Sequence, residues 1–309
     1  MSSKLAKIES LYMPNLLING DFQVWQRGES FSITKTGYTA DRWGVYKPDS
    51  ETKTFSVAKS NGRLCVSPAA TATQCGIFQY IELCESMINL LKGQKLTLSF
   101  EVISSAVQNL TASVTLLKTT GASDAIGIKT TNYASVANEY KKVEMTFTIP
   151  ADIDFTNAKT LQVVLFSNSI TKPLYFKYAK FEFNYATPYI PRSYAEELAL
   201  CQRYCYVLDS KSYYENYGTF VMYNNKAQLY CAFDTEKMYT RPTASWRNFS
   251  GITLYAIKDF ANIEISERAG ISYVSGCMLL DMINTYVNGL SGAWQLRPNT
   301  QIIIDAEIY

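Results

Sequence analysis

Histidine is absent from this 309-residue sequence. Its absence excludes, within this chain, a Ser-His-Asp triad, a Cys-His pair, an HExxH zinc site and any histidine-based pH switch. Carboxylates, lysine, tyrosine and cysteine remain available, so the chemistry open to an enzyme is narrowed and not eliminated.

Long apolar runs and a strong net charge are missing as well. No stretch of about 18 apolar residues occurs, and the start of the chain lacks the apolar core of a signal peptide, so we expect no membrane insertion. The formal net charge is only +2. A protein with so small a net charge has only a weak electrostatic field and is not expected to attract nucleic acid.

The seven cysteines are an odd number, so at least one has no partner within the chain. They do not form the paired CxxC motifs of a zinc site, and we expect no metal and no cofactor. Cys65, Cys75 and Cys84 lie in or beside apolar stretches. We interpret them as small buried side chains of a protein made in a reducing cytosol.

Most of the sequence alternates between apolar and polar residues. In one segment Leu96, Leu98, Phe100 and Val102 alternate with polar residues, which predicts a half-buried β-strand. In residues 174–183 the apolar phase switches by one residue, which indicates a β-bulge. Many short strands separated by turns predict an all-β protein with a jelly-roll β-sandwich over about residues 14–190.

One helix is predicted, over about residues 194–208. Ser193 and Glu196 have the spacing of a capping box, and Pro191 separates the helix from the preceding strand. An apolar stripe follows at heptad-type spacing, formed by Tyr194, Leu198, Cys201, Cys205 and Leu208. The stripe either packs on its own domain or forms a seam between identical copies of the chain.

Strand patterns resume after this helix. Asn224-Asn225 separates two such segments and is suited to a hairpin turn, and residues 301–309 alternate to the end of the chain. We therefore expect a smaller antiparallel β domain within residues 193–309, joined to the jelly roll of residues 14–192 by the short helix. Residues 1–13 are a candidate docking arm.

Four segments in order resemble landmarks of a family of bacteriophage tail-fibre and receptor-binding proteins. They are residues 15–28 (NLLINGDFQVWQRG) with 38–43 (YTADRW), residues 91–100 (LKGQKLTLSF), residues 186–204 (ATPYIPRSYAEELALCQRY), and residues 241–243 (RPT) with 304–308 (IDAEI). The resemblance implies a carbohydrate-binding-module-like jelly roll, a homotrimer and a place in the virion after assembly in the host cytoplasm.

The resemblance favours a non-enzymatic virion protein that attaches to a bacterial surface glycan or protein. The alternatives are a structural component, such as a head fibre or baseplate link held through residues 1–13, and a surface-polysaccharide depolymerase. A depolymerase needs a pair of carboxylates in a cleft, and the sequence contains no recognisable signature of one.

The candidate ligand-binding residues are aromatic and lie after the helix: Tyr213, Tyr214, Tyr217 and Trp246. Their rings suit the C–H faces of sugars, although they equally suit packing within a small domain or an interface. Trp25 and Trp43 are either part of a structural cluster with nearby arginines or a platform for sugar. A structural calcium is a lesser possibility, with Asp21 and Glu182 as its candidate oxygen donors.

Overall fold

The computed structural model describes residues 14–309 with several gaps. The gaps are residues 49, 69–74, 107, 134–138, 168–169, 210–215, 224–225, 232–237, 239–242, 249–251, 257–261, 266–270, 275–276, 282–290, 297–300 and 308–309. The chain divides into two compact units, Met1–Leu198 and Ala199–Tyr309. The candidate docking arm, residues 1–13, lies outside the described residues.

The first unit is a β-sandwich. Its described strands are β1 (Ser30–Ile33), β2 (Gly37–Tyr38), β3 (Gly44–Tyr46), β4 (Phe55–Ser60), β5 (Arg63–Pro68), β6 (Cys75–Glu82), β7 (Lys95–Ile103), β8 (Gln108–Lys118), β9 (Ser123–Tyr133), β10 (Lys141–Thr148), β11 (Ala158–Ser167) and β12 (Leu174–Phe183). The first sheet has the order β1-β4-β5-β12-β7-β10 and the second the order β2-β3-β6-β11-β8-β9. The described strand pairs are antiparallel, which confirms the predicted all-β sandwich.

Alternation places one face of each strand in the core. Leu96, Leu98, Phe100 and Val102 of β7 are buried in one cluster with the inward residues of the opposite sheet. Burial of such side chains contributes about 25 cal/mol per Å² of apolar surface, which is the main favourable term in a fold of this kind. The outward-facing side chains of both sheets are therefore available for contacts other than core packing.

The predicted bulge is present in β12. Phe176 pairs with Val102 of β7 and Tyr178 pairs with Glu101, which leaves Lys177 as the extra residue. Because of this extra residue Tyr178 and Glu101 share the outer face of the first sheet, while Ala179 returns to the core.

Two helices occur among the described residues, α1 (Glu85–Leu91) and α2 (Tyr194–Gln202). The capping box of α2 is formed as predicted. The Ser193 hydroxyl accepts from the Glu196 amide at 3.4 Å, and the Ser193 amide donates to the Glu196 carboxylate at 3.0 Å. The Ser193 hydroxyl also donates to the Glu196 carboxylate at 2.8 Å, and this bond, together with that from the Ser193 amide, holds the pKa of Glu196 below its usual value. None of the described helices is long and apolar enough to cross a bilayer.

The prediction of a helix to residue 208 was wrong. The helix ends at Gln202, the Tyr204 amide closes a turn on the Cys201 carbonyl at 2.9 Å, and Cys205–Asp209 forms strand β13. Strand β13 pairs with residues 301–305, roughly 100 positions further along the chain. This pairing decides the structure of residues 205–209, although the local spacing of their apolar residues fits a helix.

The second unit contains two antiparallel sheets. Its described strands are β13, β14 (Asn216–Tyr223), β15 (Lys226–Cys231), β16 (Thr243–Asn248), β17 (Ile252–Ala256), β18 (Asn262–Ile265), β19 (Ile271–Val274), β20 (Cys277–Asp281), β21 (Ser291–Leu296) and β22 (Gln301–Asp305). One sheet has three strands in the order β13-β22-β16, and the other has seven strands in the order β18-β17-β21-β14-β15-β20-β19. The pairing of Tyr223 with Lys226 confirms the predicted β14–β15 hairpin, and buried Ile302 and Ile304 confirm the docked final strand.

Candidate functional site

The two tryptophans of the N-terminal motif are structural. Trp43 is 1% exposed, its ring lies 5.0 Å from that of Phe22, and its indole N–H donates to the Asn19 carbonyl at 2.8 Å. Trp25 is also buried, and its indole N–H donates to the Phe22 carbonyl. Neither ring offers a face to a sugar, so these residues hold the N-terminal turn together.

Arg27, close to Trp25 in the sequence, pairs with a carboxylate and lies over a phenol ring. Arg27 forms a 4.0 Å ion pair with buried Asp41, and its guanidinium lies 5.3 Å from the centre of the Tyr38 ring. The predicted structural cluster of tryptophans and arginines therefore includes an ion pair between an arginine and a buried carboxylate.

The structure does not test the predicted ligand-binding residues as a group. Tyr213 and Tyr214 lie outside the described residues. Tyr217 belongs to β14 of the seven-stranded sheet, and Trp246 belongs to β16 of the three-stranded sheet. A ligand site made of these residues remains a prediction.

The predicted seam is wrong as a continuous helical stripe. Tyr194, Leu198 and Cys201 lie on α2, whereas Cys205 and Leu208 lie on β13. Cys201, Cys205 and Leu208 are buried within this single chain, while Tyr194 is 54% exposed. Three of the five side chains therefore pack on their own chain and are not available to a second copy. The homotrimer itself remains a prediction.

Glu182, one of the two candidate calcium donors, is already paired within the protein. Both carboxylate oxygens of Glu182 accept hydrogen bonds from Thr187, at 2.8 and 2.6 Å, and the Lys180 ammonium lies 2.9 Å away. Lysine thus occupies the position of a cation beside Glu182. Calcium requires six to eight oxygen ligands, and the described residues contain no cluster of three acidic, histidine or cysteine side chains.

The cysteines whose side chains the structure describes are buried as expected, with one exception. Cys65, Cys75, Cys201 and Cys205 are buried thiols, whereas Cys84 is an exposed thiol. Burial raises the pKa of the Cys75 thiol to about 12, which keeps it protonated and unreactive near neutral pH.

The outer face of the second sheet carries a group of aromatic rings that we call the aromatic platform. Residues directly opposite each other in the register share a face, and β2, β3, β6 and β11 contribute outward rings. The aromatic platform consists of Tyr38, Tyr46, Phe78, Tyr80 and Phe166. All of these side chains except Phe78 are partly exposed.

Two glycines make room for these rings. A Cβ on Gly44 would lie 2.2 Å from the Phe78 ring, and a Cβ on Gly76 would lie 2.5 Å from Cβ of Phe166. Side chains at either position would push the rings away from the sheet. The glycines therefore permit Phe78 to lie against the backbone, where Tyr38 and Tyr80 contact it edge to face at 5.9 and 5.1 Å.

Polar groups lie beside the rings. The Gln162 side-chain amide donates to the Tyr80 hydroxyl at 3.2 Å, and Ser113 and Thr115 of β8 share the same face. Burial raises the pKa of Tyr80, so its hydroxyl remains a neutral hydrogen-bond donor at physiological pH. The aromatic platform thus combines ring surfaces with neutral donors and acceptors.

The sequence contains a signal for the aromatic platform. Strand β6 reads CGIFQYIE, in which apolar residues occupy the outward as well as the inward positions. This departure from alternation marks a strand with two apolar faces, one for the core and one for another contact. The register that brings Phe166 and Gln162 beside it cannot be read from the sequence.

No protein-family model matches this chain, and no curated protein matches it significantly. Several solved structures resemble it. A CBM4 carbohydrate-binding module is 16% identical over 54% of this chain and 98% of its own, with a TM-score of 0.39. The enzymatically active domain of bacteriophage CBA120 tailspike protein 4 is 17% identical over 55% of this chain and 21% of its own, with a TM-score of 0.34.

A third similar structure contains the CBM22-1 and GH10 modules of the Clostridium thermocellum endo-1,4-β-D-xylanase 10B, complexed with xylohexaose. It is 14% identical over 59% of this chain and 30% of its own, with a TM-score of 0.35. At such low sequence identities and TM-scores, these similarities do not show what this chain binds.

Proposed function

We propose that this protein is a non-enzymatic glycan-binding protein that serves as an attachment component of a phage virion. The aromatic platform carries the proposal for glycan binding. Sugar rings present C–H faces that pack on aromatic rings and hydroxyls that exchange hydrogen bonds with amides and hydroxyls. The ring faces of Tyr46 and Tyr80, with the Gln162 amide between strands, meet both requirements.

The chemistry of the aromatic platform supports binding over hydrolysis. Glycoside hydrolysis uses two carboxyl groups placed about 5–9.5 Å apart around the scissile bond. The outward residues at the centre of β6 and β11 are Phe78, Tyr80, Gln162, Val164 and Phe166, none of which carries a carboxyl group. Glu82, the outward residue at the end of β6, supplies one carboxylate where hydrolysis needs two. The virion role is supported separately, by the resemblance of residues 15–28 and 186–204 to phage receptor-binding proteins.

Replacing Tyr80 with alanine is expected to weaken glycan binding by about tenfold, since the stacking surface and one hydroxyl are lost together. The measurement is calorimetric titration with a bacterial surface glycan selected on a glycan array. Gln162→Ala is expected to weaken binding less, because it removes polar contacts only.

The matched control is Tyr185→Ala, which removes an exposed tyrosine from the segment after β12 and away from the aromatic platform. Its affinity should equal that of the unmodified protein. Equal affinity for Tyr80→Ala, with the fold intact by circular dichroism, would rule out the aromatic platform as the site. Release of reducing ends from the glycan would indicate an enzyme instead.

We also propose that the protein is a homotrimer, which would present three identical sites. Multiplying weak sites raises avidity by about 10²–10⁴ when all can engage a surface together. Light scattering after size exclusion is expected to give about three times the chain mass of 34.8 kDa. A mass near that of a single chain would reject the trimer.

A further inference from the structure

The tip of the hairpin between β4 and β5 is built from an Asn-Gly pair. Ser60, the last residue of β4, pairs with Arg63, the first residue of β5, so Asn61 and Gly62 form a two-residue turn between them. Their φ angles are 50° and 71°, both in the left-handed region. Asparagine and glycine adopt this region most readily, which explains their presence in a turn of type I′.

An Asn-Gly pair is also open to an intramolecular reaction. The backbone nitrogen of the glycine attacks Cγ of the asparagine side chain, a new C–N bond closes a cyclic succinimide, and ammonia leaves. Water then opens the ring at either of its carbonyls, which gives aspartate or isoaspartate. Glycine favours the attack because it has no Cβ to crowd its nitrogen. Asparagine is one of the chemically labile residues for this reason.

Both reacting groups of this turn are accessible. Asn61 and Gly62 are exposed. In a type I′ turn the backbone hydrogen bond joins the two residues that flank the turn, so the Gly62 amide has no partner in the strand ladder. A Cβ on Gly62 would meet no atom within 4 Å, so the space around its nitrogen is open to water and hydroxide.

A second Asn-Gly pair, Asn19-Gly20, is protected by the fold. Asn19 is 0% exposed, and its side-chain amide donates to the carbonyls of Val24 and Asp41, both at 2.9 Å. Its Oδ1 accepts from the Val24 amide at 3.0 Å. The side chain therefore cannot turn toward the Gly20 nitrogen without breaking three buried hydrogen bonds. A third pair, Asn288-Gly289, lies outside the described residues.

Asn157 matches Asn61 in exposure and conformation but not in the residue that follows. It is exposed, and its φ of 58° is also left-handed. The next residue, Ala158, has a Cβ, and its amide donates to the Phe155 carbonyl at 2.9 Å. The nitrogen that would attack Asn157 is therefore both hindered and engaged in a hydrogen bond.

We propose that Asn61 is a site of spontaneous deamidation, with hydroxide and water as its only co-reactants. Hydroxide takes the Gly62 amide proton, the nitrogen attacks Cγ of Asn61, and the side-chain nitrogen leaves as ammonia with a proton returned from water. The left-handed backbone of Asn61 must rotate before the two atoms meet, so the hairpin tip opens locally first. The reaction is therefore slower in the folded protein than in the unfolded chain.

The products change the hairpin and leave the aromatic platform intact. Each product replaces a neutral amide with a carboxylate, and isoaspartate also lengthens the backbone of the turn. The pairing of Ser60 with Arg63, which closes the turn, is therefore expected to weaken. The aromatic platform lies on the other sheet, so glycan affinity is expected to stay unchanged and the proposal is independent of the proposed function.

The test is incubation of the full chain at mildly alkaline pH in heavy-oxygen water, followed by peptide mapping with mass spectrometry. Asn61 is expected to react at least about a hundredfold faster than Asn19 or Asn157, since only Asn61 combines exposure with a following glycine. The rate is expected to rise about tenfold per pH unit, because the Gly62 nitrogen must lose its proton.

The products identify the route. Opening of a succinimide gives both aspartate and isoaspartate, each with an oxygen atom from the labelled water, whereas direct hydrolysis of the side-chain amide gives aspartate only. Aspartate without isoaspartate at position 61 would overturn the proposal. Conversion of Asn61 no faster than that of Asn19 or Asn157 in the folded protein would overturn it as well.

The same measurement in guanidinium chloride isolates the contribution of the fold. Asn19 and Asn61 both precede glycine, so their rates should agree within about twofold in the unfolded chain, while Asn157 should stay at least about tenfold slower. The matched variant Gly62→Ala should slow Asn61 to the rate of Asn157 there, where strain at a positive φ plays no part. A preference for Asn61 over Asn19 that persists unchanged in the unfolded chain would refute protection by the fold.

Discussion

Replacing Lys180 with methionine is expected to lower the free energy of unfolding by about 3–5 kcal/mol, the usual cost of removing one partner from a buried ion pair. Lys180 and Glu182 are 4% and 0% exposed in their side chains, and their charged atoms lie 2.9 Å apart. Lys180 also donates to the Thr187 hydroxyl and to the Pro188 carbonyl. Loss of the ammonium would leave the Glu182 carboxylate buried without a counter-charge, and urea denaturation would measure the loss.

The matched control is Lys59→Met. Lys59 forms an ion pair of similar length with Glu29, at 2.8 Å, but both side chains are partly exposed. Its removal should cost about 1 kcal/mol or less, since solvent screens exposed pairs. The double variant Lys180→Met/Glu182→Met should recover most of the stability lost by Lys180→Met alone, because no buried charge then remains unpaired. Equal losses for Lys180→Met and Lys59→Met would contradict this account.

The sequence was sufficient for features that depend on neighbours along the chain. Alternation in β7 predicted its half-buried face, and the phase switch between Tyr178 and Ala179 predicted the bulge, which the register places at Lys177. The Ser193–Glu196 spacing predicted the start of α2 because a capping box involves only one helical turn.

The sequence was insufficient where distant segments decide the outcome. The spacing of Cys201, Cys205 and Leu208 fits a helix, but pairing of Leu208 with Ile302 makes the last part a strand. The aromatic platform joins rings about 130 positions apart, Tyr38 and Phe166 among them, which only the folded register brings together. Neither the end of the helix nor the assembly of these rings is encoded in a local motif.

Replacing Trp43 with alanine is expected to lower the free energy of unfolding by about 3–5 kcal/mol, as for other large core residues reduced to alanine. The ring is 1% exposed and packs against Phe22. Its indole N–H donates to the Asn19 carbonyl, and the Asn19 side chain in turn donates to the carbonyls of Val24 and Asp41 at 2.9 Å. The substitution would therefore open a cavity and weaken the bonds that close the N-terminal turn.

Trp43→Phe separates this structural role from a role in binding sugar. Phenylalanine retains most of the ring volume but loses the indole N–H, so the expected cost is about 1 kcal/mol. The Asn19 carbonyl still accepts from the Phe22 amide at 3.0 Å, which limits the loss. Glycan affinity should be unchanged in Trp43→Phe, because Trp43 lies outside the aromatic platform. A large loss of affinity with little loss of stability would show instead that this ring contacts the sugar.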